Sequence, residues 1–441
     1  MESEQIESLS IHDAMRIAAE LHRGRNIEAA QTIYERVLAI DPDYPDALHF
    51  LGILKHQLGR REDAIRLITR SIELVPGHAG FHSNLGNLMF SYERFEEAER
   101  EYRSALGLDP DLVEILNNYA LLCKGLKRFE ESERCFRKAI ELAPDYCDAR
   151  NNLANLLTRL GRIEESIEQA CEALVRNPSS SGARHQLATA YRLLGRIGDA
   201  VNIYKDWLVL EPDNPKARHH LAALTGEDVP LRANDVYVQQ VFDTFAESFD
   251  AQLAKLEYRA PQLVGEKAAE YLGTAGNSFD VLDAGCGTGL CAAYLKPYAR
   301  SLVGVDLSAG MLGKAAGRDL YDDLKQAELT AFMQTHPCAF DLIVSADTLV
   351  YFGSLAEAMQ AAAGALRAGG LLCFTVEAAT DEPAVGYVLQ PHGRYAHGQP
   401  YLREMLDAAG LAVQSIDQVG LRNEGGKLVL GWLVLAARLD R

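Results

Sequence analysis

Val281-Leu-Asp-Ala-Gly-Cys-Gly-Thr-Gly-Leu290 is an apolar run that ends in an acid and enters a turn with three alternating glycines, Gly285, Gly287 and Gly289. Glycines so spaced let backbone N–H groups approach a ligand closely and let the next helix pack hard against the strand. An anionic group bound there would sit at that helix's N-terminus. Downstream the pattern alternates. Strands are expected over 279–284, 301–306, 324–327, 340–346, 370–377, 411–417 and 427–438, and helices over 289–298, 308–316, 354–367 and 399–409. Such alternation predicts a Rossmann-like α/β fold, a mostly parallel seven-stranded sheet covered by helices on both faces. Ligands of such sheets bind outside the carboxyl ends of the strands.

Two cofactors fit the loop. Gly287-Thr-Gly289-Leu-Cys-Ala292 satisfies the dinucleotide pattern G-x-G-x-x-G/A, a short and unspecific motif. The longer string Asp283-x-Gly-x-Gly-x-Gly289, followed by Val303-Gly-Val-Asp306-Leu-Ser, resembles the first two motifs of the class I S-adenosylmethionine (SAM)-dependent methyltransferases. That resemblance implies SAM as cofactor. It places the methionine end on the Asp283, Gly285, Cys286, Gly287, Gly289 turn and the ribose hydroxyls on Asp306, beside Leu307. Ala327-Glu328-Leu329 follows the third strand, where the family has an acid for adenine's amine and an apolar neighbour for its ring; Glu328 stands for the usual Asp. After the fourth strand, Ser345-Ala-Asp347-Thr-Leu-Val-Tyr351 adds Asp347 to the cofactor set and lacks the Asp/Asn-Pro-Pro-aromatic motif of the enzymes that methylate nucleic-acid amines.

Charge points the same way. The chain carries a formal −18, and from residue 225 onward 16 Lys and Arg face 27 Asp and Glu. Phosphate backbones are held by clustered cations, so nucleic acid is not an expected partner. The eight cysteines form no C-x-x-C and no alternation with His at zinc spacing. No metal is therefore expected, and free thiols suit a reducing compartment. Met1–Ser8 is acidic and lacks the order of a signal peptide, and the apolar run 428–437 is too short to span a bilayer as a helix. A cytoplasmic protein with no membrane contact is expected.

Before residue 225 the chain repeats. Prolines stand at 42, 76, 110, 144, 178 and 212, each 34 residues after the last. Leu51-Gly52, Leu85-Gly86, Leu153-Ala154, Leu187-Ala188 and Leu221-Ala222 keep a large–small pair in phase, and Ala30, Ala64, Ala98 and Ala200 keep a second small position. Thirty-four is the period of tetratricopeptide (TPR) helix pairs, which must stack to bury their apolar faces. An all-α TPR superhelix is expected over 1–224, six repeats beginning near 11, 45, 79, 113, 147 and 181 with a capping helix near 215–224. Residues 225–235, with Gly and Pro, read as a linker to a second domain over 236–441. TPR resemblance implies a groove for a protein or peptide partner. Asn84, Asn118 and Asn152 recur at one phase of the first helices and resemble the asparagine ladder of O-linked N-acetylglucosamine transferases, whose amides bind a peptide backbone. A packing or oligomerisation scaffold is the alternative.

Two stretches remain. Val236–Leu253 has aromatics at 237, 242, 245 and 249 and resembles the lid helices that close over SAM; core packing explains the same stripe. Gly386–Tyr401, between the fifth strand and the next helix, is dense in His, Arg and Tyr and falls at the ligand side of the sheet. His397 has the ordinary pKa of a general base, Arg394 could clamp an acceptor carboxylate, and Tyr395 lies between them. Methyl transfer asks the protein mainly to align acceptor and methyl, and to remove a proton from an O–H or ammonium acceptor. The domain order resembles bacterial TPR repeat-containing methyltransferases, which implies a reaction class and leaves the acceptor open, small molecule or protein. A non-catalytic TPR adaptor with a SAM-binding domain is the second reading, and a nicotinamide-dependent oxidoreductase the third.

Overall fold

The computed structural model describes residues 10–246, 249–424 and 426–439. Met1–Ser8 and, within the expected lid stretch, Glu247 and Ser248 lie outside them. The chain forms two compact units that divide between Ala200 and Val201, inside the helix Ile197–Leu210.

The first unit is a run of helix pairs. Thirteen-residue helices start at Ile11, Pro45, Ala79, Val113, Cys147 and Ser181, and each is followed by a fourteen-residue partner. Within a pair the small residue of the large–small motif sets the approach: a Cβ at Gly52 would lie 2.5 Å from Ile68, and one at Gly86 would lie 2.8 Å from Tyr102. Each repeat's proline carbonyl is capped from the next helix six residues on, where the side chain is a donor, as in His82–Pro76 (3.1 Å) and Arg150–Pro144 (3.1 Å). Arginines that open second helices tie one repeat to the one before it. Arg128 reaches Glu99 and Arg162 reaches Glu133, each at 2.8 Å and 29 residues back. These charge pairs fix the stacking register that apolar burial alone would leave loose.

The second unit begins with the rest of the helix Ile197–Leu210, the helix Pro215–Thr225, and the helices Asp235–Phe245, Phe249–Lys255 and Ala260–Leu272. Its sheet is built from β1 (Phe279–Ala284), β2 (Ala299–Asp306), β3 (Asp323–Gln326), β4 (Phe340–Ser345), β5 (Leu366–Ala378), β6 (Tyr387–Leu389), β7 (Tyr395–His397), β8 (Leu411–Glu424) and β9 (Lys427–Arg438). The order is β3-β2-β1-β4-β5-β7-β6, with β9 antiparallel on β5 and β8 antiparallel on β9; β1 to β5 are mutually parallel. Nine strands replace the expected seven. The surplus pair, β6 and β7, comes from the His- and Tyr-rich insertion, and β7 pairs with Glu377 and Ala378 beyond the point where β4 ends. One face packs Leu282, Ile343, Phe374 and Val434 under helices that include Ala356–Ala365 and Gln399–Ala408; the other packs Val281, Leu302, Val344 and Cys373 under Ala260–Leu272.

The expected helix 289–298 is cut to Ala292–Leu295. Gly289, at φ +84°, still belongs to the turn, and its N–H closes back on Cys286. One turn of helix sums few peptide dipoles, so the N-terminal anion site expected there has little field behind it.

Candidate functional site

All three glycines of the loop have positive φ: +81° at Gly285, +53° at Gly287 and +84° at Gly289. A Cβ at Gly285 would collide with Thr348 at 2.3 Å and one at Gly289 with Tyr321 at 2.9 Å, whereas one at Gly287 would meet nothing within 4 Å. The outer two serve packing and the middle one opens onto free space. Asp306, at the end of β2, accepts from the N–H of Gly287 (2.9 Å) and of Ser308 (2.9 Å), one on each carboxylate oxygen. Each oxygen keeps a second lone pair. Burial pushes the Asp306 carboxyl up, against the pull of those backbone donors. Cys286 is buried beneath the loop and its thiol is pushed well up by burial. Leu307 is half-buried, with its carbonyl held by Gln326 at 3.0 Å.

Three carboxylates near this loop each keep a buried oxygen without a hydrogen bond. Asp283, fully buried at the end of β1, takes the Tyr321 hydroxyl on one oxygen (2.6 Å) and nothing on the other; burial, reinforced by the Asp306 charge, pushes its pKa up to about 7. Glu328, after β3, caps the helix Leu329–Gln334 through Ala331 N–H (2.8 Å) and leaves Oε1 buried without a hydrogen bond, in an ion pair with Arg232 at 3.6 Å; Leu329 beside it is buried. Asp347, after β4, stands at φ +56°, gives one oxygen to Arg422 at 2.6 Å and keeps Oδ1 unpaired. Burial raises its pKa, while Arg422 pulls it down. Buried carboxylate oxygens without donors are costly, and a donor or cation would relieve those of Asp283 and Asp347.

The two helices before the sheet are latched onto this loop. Asp243, on Asp235–Phe245, accepts from the Ser308 hydroxyl and from Gly310 N–H (3.3 Å), and Asp250, on Phe249–Lys255, accepts from the Thr288 hydroxyl and the Arg318 guanidinium. Phe242 packs edge-on to Phe249 (5.8 Å) and to Tyr351 (5.5 Å).

Beyond Asp347 the carboxyl ends of β5 and β8 carry an alternating ion network. Arg422 is almost fully buried and bridges Asp347, Glu377 and Glu424; Arg394 holds Glu377 at 2.7 Å and Glu424 at 2.6 Å. His392 lies 3.6 Å from Glu377. Tyr351, pushed up to about 12 by burial, and Tyr258, pushed well up by it, feel the same charges, and both side chains are half-buried beside this network.

Of the three residues expected to act on the acceptor, only Arg394 takes part in this network. His397 is fully buried, its Nε2–H donating to Gly353 carbonyl at 3.1 Å and its Nδ1 enclosed without a partner; burial lowers its pKa to about 4. A base needs an accessible lone pair, so this geometry withdraws His397 from proton abstraction. Tyr395 is also fully buried and donates to Pro230 carbonyl at 2.7 Å. Arg422, Glu377, Asp243 and Asp250 went unmarked in the sequence. Glu377 had a signal, an acid at the end of the apolar run Leu371–Val376; nothing in the sequence around the others sets them apart from surface charges.

In the first unit the recurrent asparagines bond sideways. Asn84 Nδ2 meets His49 Nε2 (2.9 Å), Asn118 donates to Asn87 (3.0 Å) and Asn152 donates to Asn117 (2.9 Å), each across to the preceding repeat. Each half-buried amide spends one of its two N–H donors on the preceding repeat, and Asn118 Oδ1 also accepts from Asn117 at 3.2 Å. A second N–H on each amide is what remains for a peptide.

Comparisons with known proteins agree with this division. A family model described as "Methyltransferase domain" matches residues 282–374, and three described as "Tetratricopeptide repeat" match 21–88, 111–179 and 181–224. Among curated proteins the chain is similar to a malonyl-[acyl-carrier protein] O-methyltransferase of Enterobacter lignolyticus, 35% identical over 29% of this chain and 51% of that protein. It is also similar to human methyltransferase-like protein 27, 33% identical over 30% of this chain and 55% of that one. The matched stretch spans about half the length of these relatives. Among solved structures, a TPR protein of Thermus thermophilus is 23% identical over 41% of this chain and 98% of its own, with a TM-score of 0.36. The chain carries tetratricopeptide repeats and a methyltransferase domain. No helix among the described residues is long and apolar enough to cross a membrane.

Proposed function

We propose that this chain is a SAM-dependent methyltransferase in which the repeats recruit a protein or peptide partner. The observation that carries the cofactor assignment is the set of buried oxygens without hydrogen bonds on Asp283, Glu328 and Asp347 beside a loop whose middle glycine opens onto free space. A dinucleotide brings phosphates, which three carboxylates repel; a sulfonium with an ammonium group suits them. In this reading Asp306 accepts from the ribose hydroxyls, Glu328 from the adenine amine, and Asp283 from the ammonium, with Cys286, Leu307 and Leu329 lining the pocket. SAM supplies an activated methyl group. The work left to the chain is to hold the acceptor in line. Asp347, Arg394 and the phenols of Tyr258 and Tyr351 are the groups placed for that, and the relative that methylates malonyl-[acyl-carrier protein] on oxygen makes a carboxylate one acceptor to try first. The array, the linker and the catalytic domain are assigned to 1–224, 225–235 and 236–441, and the eight free cysteines favour the cytoplasm.

Calorimetry tests the assignment. SAM should bind, NADH should not, and Asp306→Ala should weaken SAM about 30- to 150-fold, the equivalent of about 2–3 kcal/mol for charged hydrogen bonds. Tighter binding of NADH, or an unchanged SAM affinity in the variant, would remove it. SAM binding with no methyl incorporated into any fraction of a cell lysate would favour the adaptor reading.

A further inference from the structure

The helix Pro215–Thr225, the last element of the 34-residue period, packs within the second unit against the turn that precedes β7. His219 and His220 occupy the same repeat phase here that Asn117 and Asn118 occupy three repeats earlier. Both imidazoles are buried. His219 Nε2–H donates to the carbonyl of Gly393 at 2.7 Å, and its ring stacks on Tyr237 at 4.7 Å. The turn it grips is tight: Gln390 N–H donates to Arg394 carbonyl and Gly393 N–H to Gln390 carbonyl, both at 2.8 Å. Gly393 stands at φ +92°, and a Cβ there would lie 3.2 Å from His220 and 3.4 Å from the Tyr237 hydroxyl. The next residue is Arg394, whose guanidinium spans Glu377 and Glu424.

We propose that His219 is a positioning residue: the last repeat helix binds the 390–394 turn as an in-chain ligand through one backbone carbonyl and thereby sets the Arg394 guanidinium at the acceptor end. This rests on the reading of the Arg394 network as the acceptor end. Only a donor at the imidazole's position can do it. A turn closed by two short bonds swings about its ends unless its outer carbonyl is held, and any swing displaces the residue that follows.

The test uses the full chain labelled with 15N-arginine, in which the Arg394 Nε–H resonance is identified by its loss in Arg394→Lys. His219→Phe keeps a ring against Tyr237 and removes the donor, whereas His219→Gln keeps a donor. Exchange of the Arg394 Nε–H with solvent should be about tenfold faster in the Phe variant, the consequence of one lost hydrogen bond, and parental in the Gln variant. Parental exchange in a folded Phe variant, or equal acceleration in both, overturns the proposal. If the Phe variant does not fold, the Gln variant decides alone: parental exchange supports it and faster exchange overturns it. The readout needs neither SAM nor an acceptor, so a parent that fails to bind SAM would sink the function proposed above and leave this result standing.

Discussion

Asp283 shows how one residue can be visible in a sequence and still carry an unread property. The acid at the end of an apolar strand before a glycine turn marks the cofactor loop; that its second oxygen is buried without a donor appears only in the fold. Its pKa of about 7 in the folded chain, against an ordinary 3.8, fixes a sign. The folded chain holds this proton where the unfolded chain has released it, so stability falls as pH rises from about 4 to about 7 and is flat above. Asp283→Asn removes that cost, by at most about 4 kcal/mol at three pKa units. Urea midpoints of parent and variant should therefore coincide at pH 4 and separate at pH 8 in favour of the variant; a constant offset would show that the carboxyl does not titrate there. A cationic ligand beside Asp283 would also expel the proton. SAM binding at pH 6 should release protons into buffer, detected as a calorimetric heat that scales with the buffer's ionisation enthalpy, and the variant should show none from this site.

At the scale of elements, strands were legible where burial imposes a continuous apolar run, as in β1 and β4, and lengths failed where backbone geometry decides. Gly289 delays the start of a helix expected from 289, which begins only at Ala292 and ends at Leu295, two residues before Pro297, and β8 continues to Glu424 because it pairs with β9 along its whole length rather than because its side chains alternate. The insertion's strands were unreadable for the same reason: three-residue ladders carry no period. The asparagine phase was legible and its direction was not, since one spacing serves a ligand or a neighbouring helix equally. The bonds to His49, Asn87 and Asn117 predict that Asn84→Ala, Asn118→Ala and Asn152→Ala together lower the stability of the repeats, by up to about 3 kcal/mol at about 1 kcal/mol per hydrogen bond. An unchanged unfolding midpoint would return these amides to an open groove. The pre-sheet helices predict a rate. Asp243 and Asp250 hold them on the loop, so Asp243→Ala with Asp250→Ala should speed SAM dissociation, by roughly tenfold once the partial exposure of the Asp250–Arg318 pair is discounted. Stopped-flow dissociation identical to the parent's would mean that the helices are not a barrier to the cofactor.

At the scale of the molecule, the period of 34 made the array legible from prolines alone, but it also invited a boundary at the point where the period stops. The two compact units divide earlier, between Ala200 and Val201. The stretch that composition marks as a linker is bound to the sheet domain: Leu231 carbonyl accepts from Gly353 (2.9 Å) and Ser354 (2.8 Å), Ala233 N–H donates to Tyr351 carbonyl (2.7 Å), and Pro230 carbonyl holds Tyr395. Just before it, Ala222 and Ala223 of the last repeat helix share an apolar cluster with Leu389 and Tyr395. Gly and Pro therefore signal here only that helical periodicity ends, because a chain can leave a helix and remain pinned as extended backbone. The consequence is a difference between two pieces of the chain. One that begins at Ile197 keeps the helices that cover Tyr395 and hold Gly393; one that begins at Gly226 exposes a fully buried tyrosine and strands a carbonyl. The loss of one buried aromatic contact surface and one hydrogen bond amounts to roughly 3–5 kcal/mol. The piece from Gly226 should unfold at markedly lower urea than the piece from Ile197, or fail to fold. Equal midpoints would mean that the last repeat helix is only an appendage of the array, and that a catalytic domain can be cut free where the period ends.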